Sequence, residues 1–461
     1  REVPQSHGRK SVVRGLLTQA VCSLAVCLCL SPAVATAGEA TAPPATGGTG
    51  QAGGKMLTID DAVRIALENQ PRIKAAKERV GAQQAVLGQQ FSAYYPTVVF
   101  NNSYRTSNSS GGGDTIQDRD SERYSSQATF NMTLYNFGKR EGAVESARGT
   151  LDATQYDYRA TINDIVVAVK QAYYIYLQAQ ALLKVREETV RDRELLVRQA
   201  RGFFEVGTKP KIDVARAESN LYNAQADLIA AQNAVKIAWT TLKNAMGMPD
   251  LPEQPLAEEL LTSASPLSFE QAKQEAFASR PELRSLEAQR KAQDQKIAAA
   301  RRGHLPDILF SANYGRTGSS PRGFTERHDT FPLDVTWQAQ LSLNIPIFDG
   351  FNTTYKVEEA LRNYHVVRAQ EETQKQQVAL EVEQSYVNMV NARERIKATE
   401  AAERAAKENL DLANGRYQVG VGSIIEVADA ETLYADAQTN RIRSVYDYKI
   451  AEAQLLRAIG K

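Results

Sequence analysis

Residues 162–176 read INDIVVAVKQAYYIY, and their apolar side chains recur at steps of four and three. The recurring positions are Ile162, Val166, Val169, Tyr173 and Tyr176. This spacing is typical of helices that pack as a coiled coil. Because no proline occurs from Gly138 to Phe203, the pattern predicts one helix of roughly 64 residues, about 96 Å long at 1.5 Å per residue. Such a helix is longer than an ordinary domain is wide, so the sequence predicts a rod or a tube.

The chain carries this plan twice. The matching segments are Leu57–Ala62 and Leu267–Ala272, Pro71 and Pro281, and Phe204–Gly207 and Tyr417–Gly420. The offset is 210 positions at the prolines (281 minus 71) and 213 at the glycines (420 minus 207). Self-similarity in constant order indicates two equivalent structural repeats. We expect the first repeat over 56–249, a proline-rich linker over 250–266 and the second repeat over 267–461.

Within each repeat, helical spacing gives way to strict alternation of apolar and polar residues. In the first repeat a helical segment from Ile59 to about Phe91 ends before Pro96, and in the second the change occurs at Pro306. Alternation with period two predicts β-strands. The apolar positions of the four predicted strands are Val98, Phe100 and Tyr104; Ala128, Phe130, Met132 and Leu134; Ile308, Phe310, Ala312 and Tyr314; and Trp337, Ala339, Leu341, Leu343 and Ile345.

The four strands form one predicted hairpin in each repeat, at about 96–137 and about 306–348. Their long polar loops, Ser107–Asp120 and Gly315–Thr330, are predicted to be exposed. Apolar and polar faces that alternate over about 10 residues suit a strand between lipid and water, although a half-buried strand of a soluble sheet alternates in the same way. Because closed exported barrels start at about eight strands, several chains would have to share one barrel.

After each long helix, the chain is predicted to reverse direction at a glycine and to continue as a second helix. Val206–Gly207 and Val419–Gly420 interrupt the helical pattern, and helix resumes at about Ile212 and Ile424. Glycine just after a helical segment is a typical C-terminal signal. Each repeat therefore contains a long helical hairpin with its tip at that glycine.

The N-terminal 37 residues have the parts of a signal peptide. Three basic residues precede an apolar stretch over Gly15–Leu30, and the small residues Ala35 and Ala37 mark a cleavage site. A disordered lead-in is expected over 38–55, since it is rich in Gly, Ala, Thr and Pro. A second interpretation is acylation of Cys27 as in a lipoprotein. Both interpretations predict export, and the chain after the signal would contain no thiol because all three cysteines lie within it.

Composition and motifs argue against several function classes. The net charge of +1 gives no indication of a nucleic-acid partner. The four histidines are scattered with no second ligand at metal spacing, and neither a G-x-S-x-G nor a Walker motif occurs. We therefore predict that the protein is not an enzyme and that it holds no metal and no cofactor.

The duplicated plan resembles the TolC family of outer-membrane efflux proteins. The most specific stretches are Tyr135–Gly138 and Ile347–Gly350 at the ends of the hairpins, and Tyr417–Gly420 followed by Ile425–Ala430. The resemblance extends from Met56 to Lys461. It implies a mostly α-helical fold with a small β part: a homotrimer that combines a long α-helical coiled-coil barrel in the periplasm with a transmembrane β-barrel of four strands per protomer in the outer membrane lipid.

The resemblance also implies site residues at the helical tips. Acids that ring the periplasmic gate and set its selectivity correspond to Asp213, Glu426 and Asp429, and a tyrosine that helps to hold the entrance shut by hydrogen bonding corresponds to Tyr417. Without the resemblance, these acids are ordinary N-terminal helix residues that the helix dipole stabilises, and the tyrosine is an ordinary interface residue. The tip turns, where a periplasmic adaptor would dock, are Val206, Gly207, Val419 and Gly420.

The sequence departs from the family pattern at Gly422, where a well-known member carries an arginine that locks the closed entrance. A lock in this chain would have to be weaker or use another residue, such as Lys209 or Lys211.

The predicted function is that of a passive exit duct of a tripartite efflux or type I secretion system. Its partners would be a periplasmic adaptor (membrane fusion protein) and an inner-membrane pump of the RND, ABC or MFS type, which would supply the energy. The alternative is a periplasmic coiled-coil adaptor or a structural protein without a pore. Such adaptors usually carry one helical hairpin, and two amphipathic β-hairpins in tandem repeats favour the duct.

Overall fold

The computed structural model describes residues 56–110, 118–258, 268–322 and 333–461. The predicted signal peptide (1–37) and lead-in (38–55) lie outside the described residues, as do parts of the predicted linker and of both hairpin loops. The described elements, in chain order, are α1 (Ile59–Asn69), α2 (Pro71–Phe91), β1 (Thr97–Ser110), β2 (Asp118–Tyr135), α3 (Lys139–Glu205), α4 (Lys211–Met246), α5 (Phe269–Ser279), α6 (Pro281–Arg301), β3 (Asp307–Arg322), β4 (Asp334–Asn344), α7 (Asn352–Gln418) and α8 (Ile424–Ala458). The order of two helices, two strands and two helices therefore occurs twice.

The first helical segment of each repeat is broken at a proline. Gln70 and Arg280 have extended backbones, with ψ of 119° and 120°, and the prolines that follow are the first residues of α2 and α6. The proline ring disfavours helical geometry in the residue before it. The prediction of one helical segment from Ile59 to Phe91 is therefore wrong in this detail, because two helices with a sharp break fill that range.

The described residues within 96–134 and 308–342 form one compact unit, a four-stranded sheet in the order β1-β2-β3-β4. β1 and β2 are antiparallel, with Val98 opposite Phe130 and Phe100 opposite Ala128. The strands are longer than predicted: β1 continues past Ser107 to Ser110, and β3 continues past Gly315 to Arg322.

One face of this sheet is apolar across all four strands. The rings of Phe130 and Phe310 meet edge to face with their centres 5.8 Å apart. Val98, Trp337 and Leu341 on the two outer strands are exposed. In a single chain, this apolar face and the edges at β1 and β4 are open to solvent.

The helices belong to a second compact unit, whose longest members are α3 and α7 with 67 residues each. The long uninterrupted helix predicted from residue 138 is confirmed. Within the stripe that predicted it, Val169, Tyr173 and Tyr176 are buried against α1 and α4, whereas Ile165 takes the buried position expected for Val166. No helix in the described part of the chain is long and apolar enough to cross a bilayer.

The residue before each proline caps the returning helix of its own repeat. Gln70 Nε2 donates to the carbonyl oxygens of Asn244 (3.2 Å) and Ala245 (2.8 Å) at the end of α4. Arg280 Nε donates to the carbonyl oxygen of Ala458 (2.8 Å) at the end of α8. Helix C-termini leave carbonyls without intrahelical partners, and these side chains satisfy some of them. At equivalent positions, the first repeat thus caps its returning helix with an amide and the second repeat with a guanidinium.

Arg280 also carries a buried charge, since only 1% of its side chain is exposed. Its guanidinium lies 2.5 Å from Glu381 and 3.3 Å from Glu282. Glu381 in turn pairs with Arg457 at 3.0 Å. Burial acts to raise the pKa of the Glu381 carboxyl, but hydrogen bonds from Gln377 and Arg280 and the charges of Arg280 and Arg457 hold it below its usual value.

We predict that Arg280→Ala lowers the free energy of unfolding by about 3 kcal/mol, because it removes the side chain that caps the Ala458 carbonyl and one of the two arginines that pair with the partly buried Glu381. Thermal unfolding of the detergent-solubilised protein measures the loss. The matched control is Arg362→Ala, which removes an exposed pair with Glu358 and should cost less than about 0.5 kcal/mol. Equal melting temperatures for the two variants would contradict the capping role of Arg280.

Candidate functional site

The predicted site residues lie around the two tip turns of the helical unit. In the first turn Gly207 has φ of +76° and follows α3, and in the second Gly420 has φ of +84° and follows α7. Thr208 N donates to the Phe203 carbonyl (2.9 Å), and Val421 N donates to the Arg416 carbonyl (3.1 Å). These are the backbone bonds of a helix that ends in a left-handed glycine. The tips form where the sequence predicted them because glycine adopts this φ without strain.

The two tips share one apolar core, which we call the tip cluster. Its buried residues are Leu196, Val197, Ala200, Ala217, Leu410, Ala413, Tyr417, Ile424, Val427 and Ala430. They come from α3, α4, α7 and α8, so the cluster joins the helical hairpins of both repeats. Burial of apolar surface is the main force that holds these hairpins together near their tips.

Tyr417 lies inside the tip cluster with 1% of its surface exposed. Its ring meets Phe203 edge to face at 5.5 Å. Its hydroxyl is buried without a hydrogen-bond partner among the described residues. Burial raises the pKa of this phenol, and the negative charge of Asp213 raises it further. Within one chain, Tyr417 therefore stabilises the tips by packing and makes no hydrogen bond of the kind that the family resemblance implies.

Lys209 connects the first tip to the second. Its Nζ donates to the carbonyl oxygen of Gly422 at 3.1 Å and lies 5.6 Å from the centre of the Tyr417 ring. Lys211, the other lysine considered for this role, is exposed at the start of α4. Of the two, the structure places only Lys209 across the tips.

The backbone at Gly422 leaves no room for a side chain. A Cβ atom there would lie 2.8 Å from Tyr417 N and 2.9 Å from the Arg416 carbonyl carbon. Real Cβ atoms do not approach backbone this closely, so a larger residue would force the turn to shift. An arginine at this position is incompatible with the turn as it stands. The carbonyl oxygen of Gly422 instead accepts a hydrogen bond from Lys209 of the first repeat.

The three predicted acids lie in the first two turns of the returning helices. Glu426 and Asp429 lie one turn apart on the exposed side of α8, and Glu426 pairs with Arg416 at 3.3 Å. Asp213 lies half-buried in the first turn of α4, on the side of Tyr417. The structure thus brings Asp213 to Tyr417 and leaves the other two acids facing solvent, where further copies of the chain could approach them.

Sequence reasoning missed a buried ion pair beside the tip cluster. Arg193 on α3 and Glu431 on α8 are 2.9 Å apart, with 7% and 8% of their side chains exposed. A signal was present, because each charge lies on an otherwise buried stripe: Arg193 with Val197 and Ala200, and Glu431 with Val427 and Ala435. A charged residue at an apolar position of a helix is rarely buried without a partner.

The described residues contain no group of three or more His, Cys, Asp or Glu side chains arranged to hold a metal ion.

Known proteins match the chain along most of its length. The sequence model of the outer membrane efflux protein family matches residues 62–248 and 272–461. The outer membrane protein TolC of Vibrio cholerae serotype O1 is 29% identical over 413 residues, which cover 86% of this chain and 89% of that protein. The probable efflux pump outer membrane protein TtgC of Pseudomonas putida is 26% identical over 338 residues, which cover 72% and 68%. The crystal structure of the CmeC outer membrane channel of Campylobacter jejuni has the same fold, with a TM-score of 0.76 at 18% identity over 87% of this chain and 85% of that one.

Proposed function

This chain belongs to the outer membrane efflux protein family, and from that premise we propose that three copies of it form one passive exit duct. Its place is the outer membrane, and it is the channel component of an efflux or secretion system. In the proposed trimer a β-barrel lies in the outer membrane lipid and a helical tube extends into the periplasm. The duct does no chemistry of its own, so it is not an enzyme.

The observation that carries the shared barrel is the open four-stranded sheet, and the family resemblance sets the number of chains at three. Strand edges expose backbone N–H and C=O groups, which cost several kcal/mol each when they are left unpaired in hydrocarbon. Four strands cannot close a barrel, whereas four strands from each of three chains give twelve, above the minimum of about eight. Pairing of β1 of one copy with β4 of the next would remove every edge and turn the apolar face with Trp337 and Leu341 toward lipid.

The length of the helices supports the tube. A helix of 67 residues extends about 100 Å at 1.5 Å per residue. Each chain supplies two such helices and two shorter returning helices, so three chains supply twelve. The apolar side chains that remain exposed on α4, such as Tyr222, Ile229 and Ile237, would then pack between neighbouring copies.

The tips are the proposed periplasmic entrance. Three acids in each of three chains would bring nine carboxylates around one opening, contributed by Asp213, Glu426 and Asp429. A ring of carboxylates favours cations over anions, and the preference strengthens where water is scarce. Lys209 contacts Gly422 and so joins the two tips of one chain. This contact takes the place of the arginine lock of a well-known family member.

The tip turns are also the proposed docking surface for a periplasmic adaptor. Val206 and Val419 are 71% and 74% exposed, next to Gly207 and Gly420. Apolar side chains held out on a rigid turn are suited to burial against a partner. An inner-membrane pump of the RND, ABC or MFS type would supply the energy through that adaptor, because a passive duct supplies none.

The alternative function is that of a soluble periplasmic adaptor or a rod without a pore. A soluble protein rarely exposes a sheet face as apolar as this one. Membership of a family of channel proteins favours the duct. Reconstitution into planar bilayers decides between the two functions, because a duct conducts ions and an adaptor does not.

We predict that replacing all three tip acids by lysine abolishes or inverts cation preference, because nine carboxylates become nine ammonium groups at the entrance. The reversal potential of the reconstituted trimer in a salt gradient measures this preference. The substitutions are Asp213→Lys, Glu426→Lys and Asp429→Lys in one chain.

The control for this experiment carries the same change of net charge away from the tips. Asp60, Glu68 and Glu78 are exposed acids on α1 and α2, and their replacement by lysine should leave the reversal potential near that of the wild type. An unchanged reversal potential in the tip variant would contradict the proposal that these acids set the ion preference of the entrance.

We predict that Lys209→Met increases the ratio of open to closed channels by up to roughly thirtyfold. The substitution removes the hydrogen bond to Gly422 and the contact with Tyr417, each worth about 1 kcal/mol. Single-channel recordings measure the open fraction. Lys211→Met removes the same charge two residues away and should have no effect, so equal behaviour of the two variants would contradict the lock.

A further inference from the structure

The buried pair of Arg193 and Glu431 joins the first repeat to the second just beyond the tip cluster. Besides its contact with Glu431, Arg193 Nη2 donates to the Ala428 carbonyl (3.1 Å) and to Thr432 Oγ1 (2.9 Å). All three partners lie on the first three turns of α8, which begins at Ile424. One side chain of α3 therefore fastens the start of α8, the helix that carries Glu426 and Asp429.

The ion pair itself is poorly oriented. Arg193 Nη1 and Glu431 Oε2 are 2.9 Å apart, yet neither atom makes a hydrogen bond among the described residues, and both are shielded from solvent. A buried carboxylate is costly unless its partners are both charged and well aligned. This contact supplies attraction between charges without the alignment, so the ionised form of Glu431 is incompletely stabilised.

The surroundings add negative charge and only limited positive charge. The titratable groups that face the Glu431 carboxyl or line the small cavity beside it are Arg193, Asp192 and Glu188 on α3 and Tyr434 on α8, with Asp411 and Glu403 on α7 close to the Tyr434 phenol. The carboxylates near Arg193 therefore outnumber the positive charges that face them. Burial raises the pKa of Glu431 to about 7, and the charge of Asp192 adds to this effect while that of Arg193 opposes it.

The neutral form of Glu431 takes the opposing charge away from the Arg193 guanidinium but leaves the hydrogen bonds of its Nη2 atom in place. When this carboxyl is protonated, Arg193 keeps its bonds to the Ala428 carbonyl and to Thr432 Oγ1. Protonation therefore removes the cost of a buried carboxylate and retains the hydrogen bonds that join α3 to α8. The packed arrangement holds this proton more tightly than an arrangement in which water reaches Glu431.

We propose that Glu431 is a proton-controlled latch: in its protonated form it keeps the start of α8 packed on α3, and when it loses its proton the two helices separate more readily. Because the packed state has the higher proton affinity, the contribution of this residue to its stability is full at acidic pH. It declines as the pH rises from the ordinary value of 4.5 to about 7 and is lost above that, and each pH unit in this window changes the equilibrium by at most about tenfold. In the duct proposed above, on which this inference rests, loss of the proton would favour opening of the entrance.

Hydrogen exchange of the full-length protein in detergent tests the latch at the helices concerned. Backbone amides exchange when a segment opens locally, so the rate for residues 421–435 reports separation of α8 from α3. Glu431→Gln mimics the protonated form. Comparison of the variant with the wild type at the same pH cancels the intrinsic chemistry of exchange. At pH 4 the two should exchange within about twofold of each other, and at pH 8.5 the wild type should exchange at least about tenfold faster.

The control is Glu426→Gln, which changes an exposed acid on the same helix and should follow the wild type at both pH values. Equal exchange in the wild type and in Glu431→Gln at pH 8.5, or faster exchange in the variant, would overturn the latch.

Two further profiles keep the test decisive if Glu431→Gln does not fold. The wild-type profile, divided by intrinsic exchange rates, should rise between pH 5.5 and pH 8.5, and a flat profile would overturn the proposal. In Arg193→Gln the upper end of the rise should move to higher pH, because the positive charge that lowers the pKa of Glu431 is gone; a shift to lower pH would overturn the proposal.

Exchange is measured without any conduction, which separates the latch from the duct. A protein that shows the transition but conducts no ions overturns the duct and leaves the latch. A protein that conducts ions without the transition overturns the latch alone.

Discussion

The four-stranded sheet imposes the constraint on which the rest of the structure depends. β1 and β4 are its edges, and one face is apolar from Val98 on the first strand to Trp337 on the last. In water such a sheet exposes an apolar surface and edges that promote aggregation. In lipid, each unpaired backbone group would cost several kcal/mol of free energy. Joining several copies edge to edge removes both problems at once. In the trimer that we propose, the apolar side chains that α4 leaves exposed would pack between neighbouring copies.

The repeats show how duplication permits local divergence. Gln70 and Arg280 occupy equivalent positions before a proline, and each caps the helix that returns from its own tip. The first uses a neutral amide, and the second uses a buried guanidinium that must be paired with Glu381 and Glu282. The tips diverged in the same way, because the first repeat supplies a lysine at 209 and the second supplies the carbonyl that accepts it.

Much of the fold could be predicted from the sequence because its signals are local and repeated. The uninterrupted stripe around Val169 and Tyr173 predicted α3, and the glycines at 207 and 420 predicted the tips, since no other residue type adopts a left-handed backbone as cheaply. The break at Pro71 was missed because the apolar pattern continues across it, although the restriction that proline places on Gln70 was already present in the sequence.

The site was less predictable for a physical reason. The tip acids were found through a family resemblance, but the surroundings of Tyr417 and Glu431 depend on packing between helices that are distant in the chain. Periodicity shows that Glu431 lies on a buried stripe and cannot show that Arg193 is its partner. Similarly, Gly422 was recognised as a departure from the family, whereas the close approach of its backbone to Tyr417 is visible only in three dimensions.

The mass of the particle extracted from the outer membrane tests the shared barrel most directly. The protein would be solubilised in mild detergent, and its mass would be measured with the detergent contribution subtracted. We predict three protomers per particle, because four strands from each of three chains close one barrel. A water-soluble monomer or dimer would contradict the shared barrel and would favour the adaptor.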